Sequence, residues 1–336
     1  MLLLDSSLYA PASPLFLSAL EESGSPYSFF DESIYTAPLT KSFVHKVARR
    51  LLGGRPLTAG ALNRDFVRRC REFCPDVVLI VKGSHLQAEM LVEVKRITGA
   101  TIVNYATDDP FNVVNSNPDM LACISHYDLY VCTKKAIMPD VLRSGAKQAC
   151  FVPFGYHPAV HFPELPATSQ ERARFCCDVA FIGGADTDRM DLVKDLAKIP
   201  TLKVNLYGGG WDRFSELRAC ARGFAYGRDY RLAVSGAKVV IGLVRRANRD
   251  GHAMRTFEIP ACRGFMLAER TQEHLEFFQE GKHCECFASA SELIEKVMHY
   301  VDHAEERDRV ALAGYKAVVA GRHTYADRLR QIMSAV

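Results

Sequence analysis

DVAFIGGADTDR, residues 178–189, decides the fold. Residues 179–182 are an apolar run of strand length. Gly183 and Gly184 break that run, and a helical pattern starts near Asp188 and continues to Lys198. Strand, glycine turn and helix in succession form the repeating unit of a parallel sheet covered by helices. The glycine pair lets backbone amides come close to a ligand. The helix start presents a positive end to a phosphate, with Arg189 in its first turn. A tight turn would use the same two glycines.

The rhythm continues outward from this stretch. Downstream, residues 202–207 lead into Gly208-Gly209-Gly210, and further strands are expected at 238–244, 264–268 and 284–287. Helices at 289–301, 304–320 and 325–333 close the chain. Upstream, strand candidates at 2–4, 27–30, 77–81, 101–105, 129–132 and 150–153 alternate with helical stretches at 63–73, 88–97 and 134–143. The segment 154–175 breaks the pattern with Gly155, Pro158, Pro163 and Pro166 and reads as a linker. The expectation is an α/β chain of two Rossmann-like domains, residues 1–155 and 178–322, joined by a linker at 156–177. A last helix over 323–336 would pack back on the first domain. Two such domains in tandem leave an interdomain cleft faced by the carboxyl ends of both sheets.

At 336 residues the chain is long enough for two cores, and 48% apolar with 24% charged residues is ordinary for a globular protein. A net charge of +3 does not imply a nucleic-acid partner. The 11 cysteines form no CxxC pair and are odd in number, so buried thiols in a reducing cytoplasm are expected. No apolar run approaches the ~20 residues of a membrane span. MLLLDSSLYA at the start lacks a basic leader region and reads as a first strand.

The dinucleotide fingerprint is missing, because residues 1–23 hold no glycine and Arg213 stands where the third glycine after Gly208 would fall. No P-loop occurs either. DGHAMRTFEIPACRGF, residues 250–265, offers a different anion site. Gly251 permits a sharp turn, and the amides near Met254 and Arg255 are unsatisfied donors at a helix start. Arg255 adds charge for a diphosphate. Glu258, one turn on, can accept from both hydroxyls of a ribose. An ordinary i, i+3 surface ion pair has the same spacing.

RTFEIPACRGFMLAERTQEHLEFFQEGKHCECFASASELIEKVMHYVDHAEERDRVALAG followed by HTYADRLRQI resembles the closing region of group-1-type glycosyltransferases. The resemblance is to their CgeB-like branch, named for a spore-maturation protein. DVAFIGGADTDR and KVNLYGGGW look like the same family's earlier strands, and YATDDP at 105–110 is the main echo in the first half. The resemblance implies a GT-B fold with the donor in the C-terminal domain and the acceptor in the N-terminal one. It puts the ribose on Glu258. It puts the first acid of a Glu-x7-Glu motif on Asp250, where the shorter side chain departs from the family. Gly183, Gly184 and Arg189 would face sugar and phosphates, and the loop 223–227 would border the base, with Tyr226 stacking on it. Gly208, His252 and Met254 complete the expected donor set.

Asp108 and Asp109 follow a strand at its carboxyl end and are candidate general bases, or an Asp-Asp-Pro turn. His126 and His157 are weaker candidates. Asp186-Thr187-Asp188 has the letters of a metal motif, but helix capping explains it. The stretch from Lys41 to Arg71 is basic with apolar residues at helical spacing. It would suit either a helix packed on the sheet or a peripheral contact with an anionic membrane. The expected activity is metal-independent transfer from a UDP- or GDP-sugar, with no cofactor, to a glycan, lipid-linked or protein acceptor. The alternatives are an inactive nucleotide-sugar-binding or partner protein and a sugar-nucleotide epimerase.

Overall fold

The computed structural model describes residues 1–5, 12–36, 57–249 and 251–336. The chain forms two compact units. One comprises Met1–Pro153 with Ala247–Arg249 and Tyr325–Val336, and the other Phe154–Arg246 with Asp250–Thr324.

The first unit is built on six parallel strands: β1 (Leu2–Asp5), β2 (Ser28–Asp31), β3 (Val77–Val81), β4 (Thr101–Ala106), β5 (Leu129–Cys132) and β6 (Ala149–Phe151). Their order is β2-β1-β3-β4-β5-β6. All of Val77–Val81 is buried, as expected for a central strand covered on both faces. The helix Ala59–Phe73 buries Leu62, Phe66, Val67 and Cys70, one stripe at helical spacing, and leaves Arg64, Arg68, Arg69 and Arg71 exposed. The described part of the basic stretch is therefore a helix seated on the sheet with a solvated basic face; residues 41–56 lie outside the described residues. Phe16 packs edge-on between Tyr105 and Tyr325, 5.1 Å from each, which fixes the last helix, Tyr325–Ser334, to this unit.

The second unit has five parallel strands: β7 (Cys177–Ile182), β8 (Val204–Tyr207), β9 (Ala237–Gly242), β10 (Met266–Glu269) and β11 (Glu285–Phe287). Their order is β11-β10-β9-β7-β8, so the direction of winding reverses between β7 and β9. Open sheets of this kind present ligands outside the carboxyl ends of the strands at such a reversal. Within the expected linker, Ser169–Phe175 is a helix that belongs to this unit and packs on the helix Arg228–Ser235. Thr168 and Glu171 form a capping box at its start, a signal present in the sequence beneath the prolines.

All eleven cysteines are free thiols. Among the described residues no helix is long and apolar enough to cross a membrane.

Candidate functional site

At the reversal point of the second unit the chain leaves β7 as Ile182-Gly183-Gly184-Ala185-Asp186, and arginines from three places close on this loop. Arg255 donates from Nε to the Ile182 carbonyl at 2.9 Å. Arg189 donates from Nη1 to the Gly184 carbonyl at 3.1 Å, and its Nε lies 3.4 Å from Asp186 Oδ2. Arg245, just beyond β9, places Nε 3.7 Å from the same oxygen. Asp186 also caps the helix Thr187–Ala197, accepting from the Arg189 backbone N–H at 2.9 Å. Capping thus accounts for the Asp-Thr-Asp letters. Guanidinium groups gathered at a helix start form a setting for phosphate oxygens.

Glu258 lies one turn into the helix Arg255–Ala261 and is 1% exposed. Its Oε2 is held by Arg255 Nη1, and its Oε1 is 3.6 Å from His161 Nε2. The Arg255 guanidinium lies over the Tyr230 ring at 4.8 Å. The i, i+3 pair forms, but inside the unit rather than on its surface. A carboxylate buried this far calls for such charged and hydrogen-bonding partners.

The two glycine turns pack against each other. Gly183 N–H donates to the Tyr207 carbonyl at 2.8 Å, Ala185 N–H to the Gly209 carbonyl at 2.9 Å, and Gly208 N–H to the Gly223 carbonyl at 2.7 Å. Gly208 has φ +130°, and a Cβ there would press into the Gly183 carbonyl. Its glycine is dictated by loop-on-loop contact. A Cβ on Gly184 would make only an ordinary van der Waals contact, with the Gly209 oxygen at 3.9 Å.

His252 is fully buried. Nδ1 lies 2.5 Å from Glu273 Oε2, and Nε2 accepts from the Phe154 backbone N–H at 3.2 Å. The carboxylate requires the proton on Nδ1 and the amide requires a bare Nε2, so one neutral tautomer serves both. With both nitrogens engaged inside the unit, His252 anchors the segment before the Arg255 helix and does not present a nitrogen to a ligand. The half-buried Met254 begins that helix, its carbonyl accepting from Phe257 and Glu258 N–H. Tyr226 is 66% exposed and stacked at 5.6 Å on Phe224, itself 58% exposed. Asp250 lies outside the described residues.

In the first unit, Asp108 and Asp109 follow β4 as expected, but both carboxylates are engaged. Arg249 holds Asp109 bidentately, with Nε 2.6 Å from Oδ2 and Nη2 3.0 Å from Oδ1, and also binds Asp140. Asp108 accepts from Asn248 Nδ2 at 2.7 Å and pairs with Lys82 Nζ at 2.7 Å. Burial alone would raise its pKa. Lys82 and Lys134, with the Asn248 bond, outweigh that and hold it below the ordinary carboxylate range. A carboxylate held in this way is a weak proton acceptor, and both acids act as anchors for residues 248 and 249. His126 ends a short 3-10 turn. His157 is buried, with Nδ1 accepting from Ala159 N–H at 3.1 Å.

Arg245, His161 and Phe224, which belong to the candidate site, and the Arg249–Asp109 pair of the first unit were missed by the sequence reading. Arg245 stands directly after a strand at the reversal point, and that position is the signal for it. Arg249 meets Asp109 across 140 residues, and no local pattern announces the pair. Among the described residues no group of His, Cys, Asp and Glu is assembled to hold a metal ion.

Residues 189–334 match the protein family described as glycosyl transferase-like. A search of curated proteins returned no significant match. Among solved structures, HepE of Anabaena in complex with UDP and glucose matches with TM-score 0.67 and 13% identity, over 99% of this chain and 98% of that one. Sucrose-phosphate synthase from Thermosynechococcus elongatus matches with TM-score 0.69 and 13% identity, over 100% of this chain and 99% of that one. A Listeria monocytogenes protein described as a UDP-N-acetylglucosamine 2-epimerase matches with TM-score 0.54 and 12% identity, over 99% and 95%. Whole-chain likeness at this level establishes the architecture, and the two Rossmann-like units are those of the GT-B glycosyltransferase fold.

Proposed function

We propose that the chain is a glycosyltransferase of the CgeB-like kind, taking its sugar from a UDP- or GDP-sugar bound in the second unit. The observation that carries this reading is the convergence of Arg189, Arg245 and Arg255 on the loop after β7, with the carboxylate of Glu258 one turn beyond. The three guanidinium groups and the start of the Thr187–Ala197 helix take the diphosphate. They stabilise the charge that develops on it as the anomeric carbon–oxygen bond breaks, so a metal ion is not required. Glu258 accepts from the ribose hydroxyls, Gly184 leaves room for the sugar or phosphate, and Tyr226 with Phe224 borders the base. The acceptor hydroxyl, of a glycan, lipid-linked or protein acceptor, bonds to the anomeric carbon as the nucleoside diphosphate leaves, and its proton passes to the departing diphosphate. Binding of UDP and glucose by HepE, a whole-chain structural match, supports the donor class. A cytoplasmic setting, and a peripheral contact of the stretch from Lys41 to Arg71 with anionic lipid, fit a lipid-linked acceptor; co-sedimentation with anionic vesicles at low salt tests that contact.

Calorimetry with UDP-glucose and GDP-mannose tests the donor site. Glu258→Ala is expected to weaken binding roughly 10- to 100-fold, the worth of hydrogen bonds to a charged group. Unchanged affinity would remove Glu258 from the site. The likeness to the epimerase favours one second reading, sugar-nucleotide epimerisation. Turnover of the donor without any acceptor would select it, and binding without turnover would select a binding protein.

A further inference from the structure

We propose that His161 is a positioning residue for Glu258 and makes nucleotide binding sensitive to acid; this rests on Glu258 being the ribose-binding group. His161 is 7% exposed, and its Nδ1 accepts from the His157 backbone N–H at 3.1 Å. That bond fixes the proton on Nε2, which faces Glu258 Oε1 at 3.6 Å. Arg255 holds the other oxygen, and Arg255 and His161 both pack on Tyr230, at 4.8 Å over its ring and 5.6 Å edge-on. Three side chains, Arg255, His161 and Tyr230, therefore close a ring around one carboxylate. At 3.6 Å the His161 N–H faces Oε1 from beyond hydrogen-bond length, so its pull on that oxygen is electrostatic and the oxygen keeps its accepting capacity. That geometry suits an oxygen that must accept from a ribose hydroxyl.

Protonation changes this balance. Burial lowers the His161 pKa; Glu258 opposes that effect, and Arg255, His157 and Arg231 reinforce it. The ring is neutral at neutral pH. When it charges in acid, the imidazolium pairs with Glu258 Oε1 and withdraws that oxygen from the ribose. Affinity then falls as pH drops below the ordinary histidine range.

The test is calorimetry from pH 8 to pH 5 with UDP-glucose and GDP-mannose, whose phosphodiester groups do not titrate there. Wild type is expected to bind one of them and to bind it more weakly at pH 5 than at pH 7, and a flat wild-type profile overturns the inference. His161→Gln keeps a donor toward Oε1 but cannot charge, so it should bind within about threefold of wild type at pH 7.5 with a flat profile. His161→Phe should bind about tenfold more weakly at pH 7.5, with Trp211 fluorescence confirming the fold. The same acid loss in His161→Gln as in wild type, or undiminished binding in folded His161→Phe, overturns the inference alone. Absence of binding by wild type overturns the nucleotide-sugar reading and this inference with it.

Discussion

Replacing Gly208 with alanine should unfold the donor-side loops while leaving the rest of the sheet intact. A Cβ at residue 208 would lie 2.6 Å from the Gly183 carbonyl carbon and 3.0 Å from the Gly184 nitrogen, both backbone atoms that cannot swing aside. The φ of +130° adds strain of about 1–3 kcal/mol for any residue with a side chain. Relieving the collision means separating the two turns, which breaks one or two of the bonds Gly183–Tyr207, Ala185–Gly209 and Gly208–Gly223, about 1 kcal/mol each. The sum is about 2–5 kcal/mol, a large share of a typical domain's stability of roughly 5–15 kcal/mol. The protein carries its own reporter. Trp211 is the only tryptophan, it is fully buried, and its Nε1 donates to the Gly183 carbonyl at 2.8 Å. Its emission in urea follows the second unit and the affected loop together. Gly208→Ala should shift the Trp211 transition to much lower urea and red-shift the native emission. Gly184→Ala, whose Cβ would make only an ordinary contact with the Gly209 oxygen at 3.9 Å, should leave the transition nearly in place while weakening sugar-nucleotide binding. Coincident transitions for wild type and Gly208→Ala would refute the loop-on-loop account.

Further outcomes follow from single contacts. Arg249→Ala strands the buried Asp109, and because the Arg249 side chain is 36% exposed the cost should be about 2–3 kcal/mol rather than the full penalty of a dry pair; hydrogen exchange at residues 108–112 should accelerate, and unchanged protection there would count against the anchor. Asp186→Asn keeps the helix cap but removes a charge beside the arginines, so thermal stability should hold within about 0.5 kcal/mol while sugar-nucleotide affinity rises; Asp186→Ala should lose about 1 kcal/mol. Burial opposes ionisation of Asp128, but the Ile102 N–H, Lys147 and Lys95 outweigh it and hold its pKa at about 2. A folded value below the unfolded one of about 3.9 means the stabilisation is present above pH ~4 and lost as pH falls toward ~2. Asp128→Asn should therefore destabilise by about 1 kcal/mol at pH 7, after allowance for solvent screening, and match wild type near pH 2 in urea titrations.

The strands and most helices were legible because each is a local pattern. The residues of β3 are an unbroken apolar run, and the stripe Leu62, Phe66, Val67, Cys70 is a helix whatever surrounds it. The helix Ser169–Phe175 was hidden because prolines on its N-terminal side outweighed the Thr168–Glu171 capping signal. The site was legible only where function and local pattern coincide. Arg189, Arg255 and Glu258 stand beside glycine turns and a helix start, and the structure gathers them at the reversal point. Asp108 and Asp109 had the right position for a base, but their partners Asn248 and Arg249 lie 140 residues away in the sequence. A carboxylate's basicity is set by such partners, so no reading of YATDDP alone could have found it. Gly208 is the converse case. It was expected to border the donor, and the close approach its missing side chain permits is to Gly183.

Burial separates the ion pairs of the second unit into two kinds. Arg270 and Lys296 meet Glu280, Glu285 and Glu292 in a network whose arginine and outer acids keep 27–30% of their side-chain surface in water. Charges that stay partly hydrated cost little to hold, and a network of this kind can tie β10 and β11 to the helix Ala290–Asp302 at no great penalty. Glu258 is different, with 1% exposure and its partner at 24%. Desolvating a carboxylate this far costs several kcal/mol, which its pairing need not recover, and an apolar residue of similar size would serve stability as well or better. Phe257 and Ile259 beside it are buried core. A carboxylate kept there, ringed by Arg255, His161 and Tyr230, is what the proposed ribose-binding role calls for. The Arg–Glu spacing that the sequence shares with any surface pair acquires its meaning from that difference in hydration.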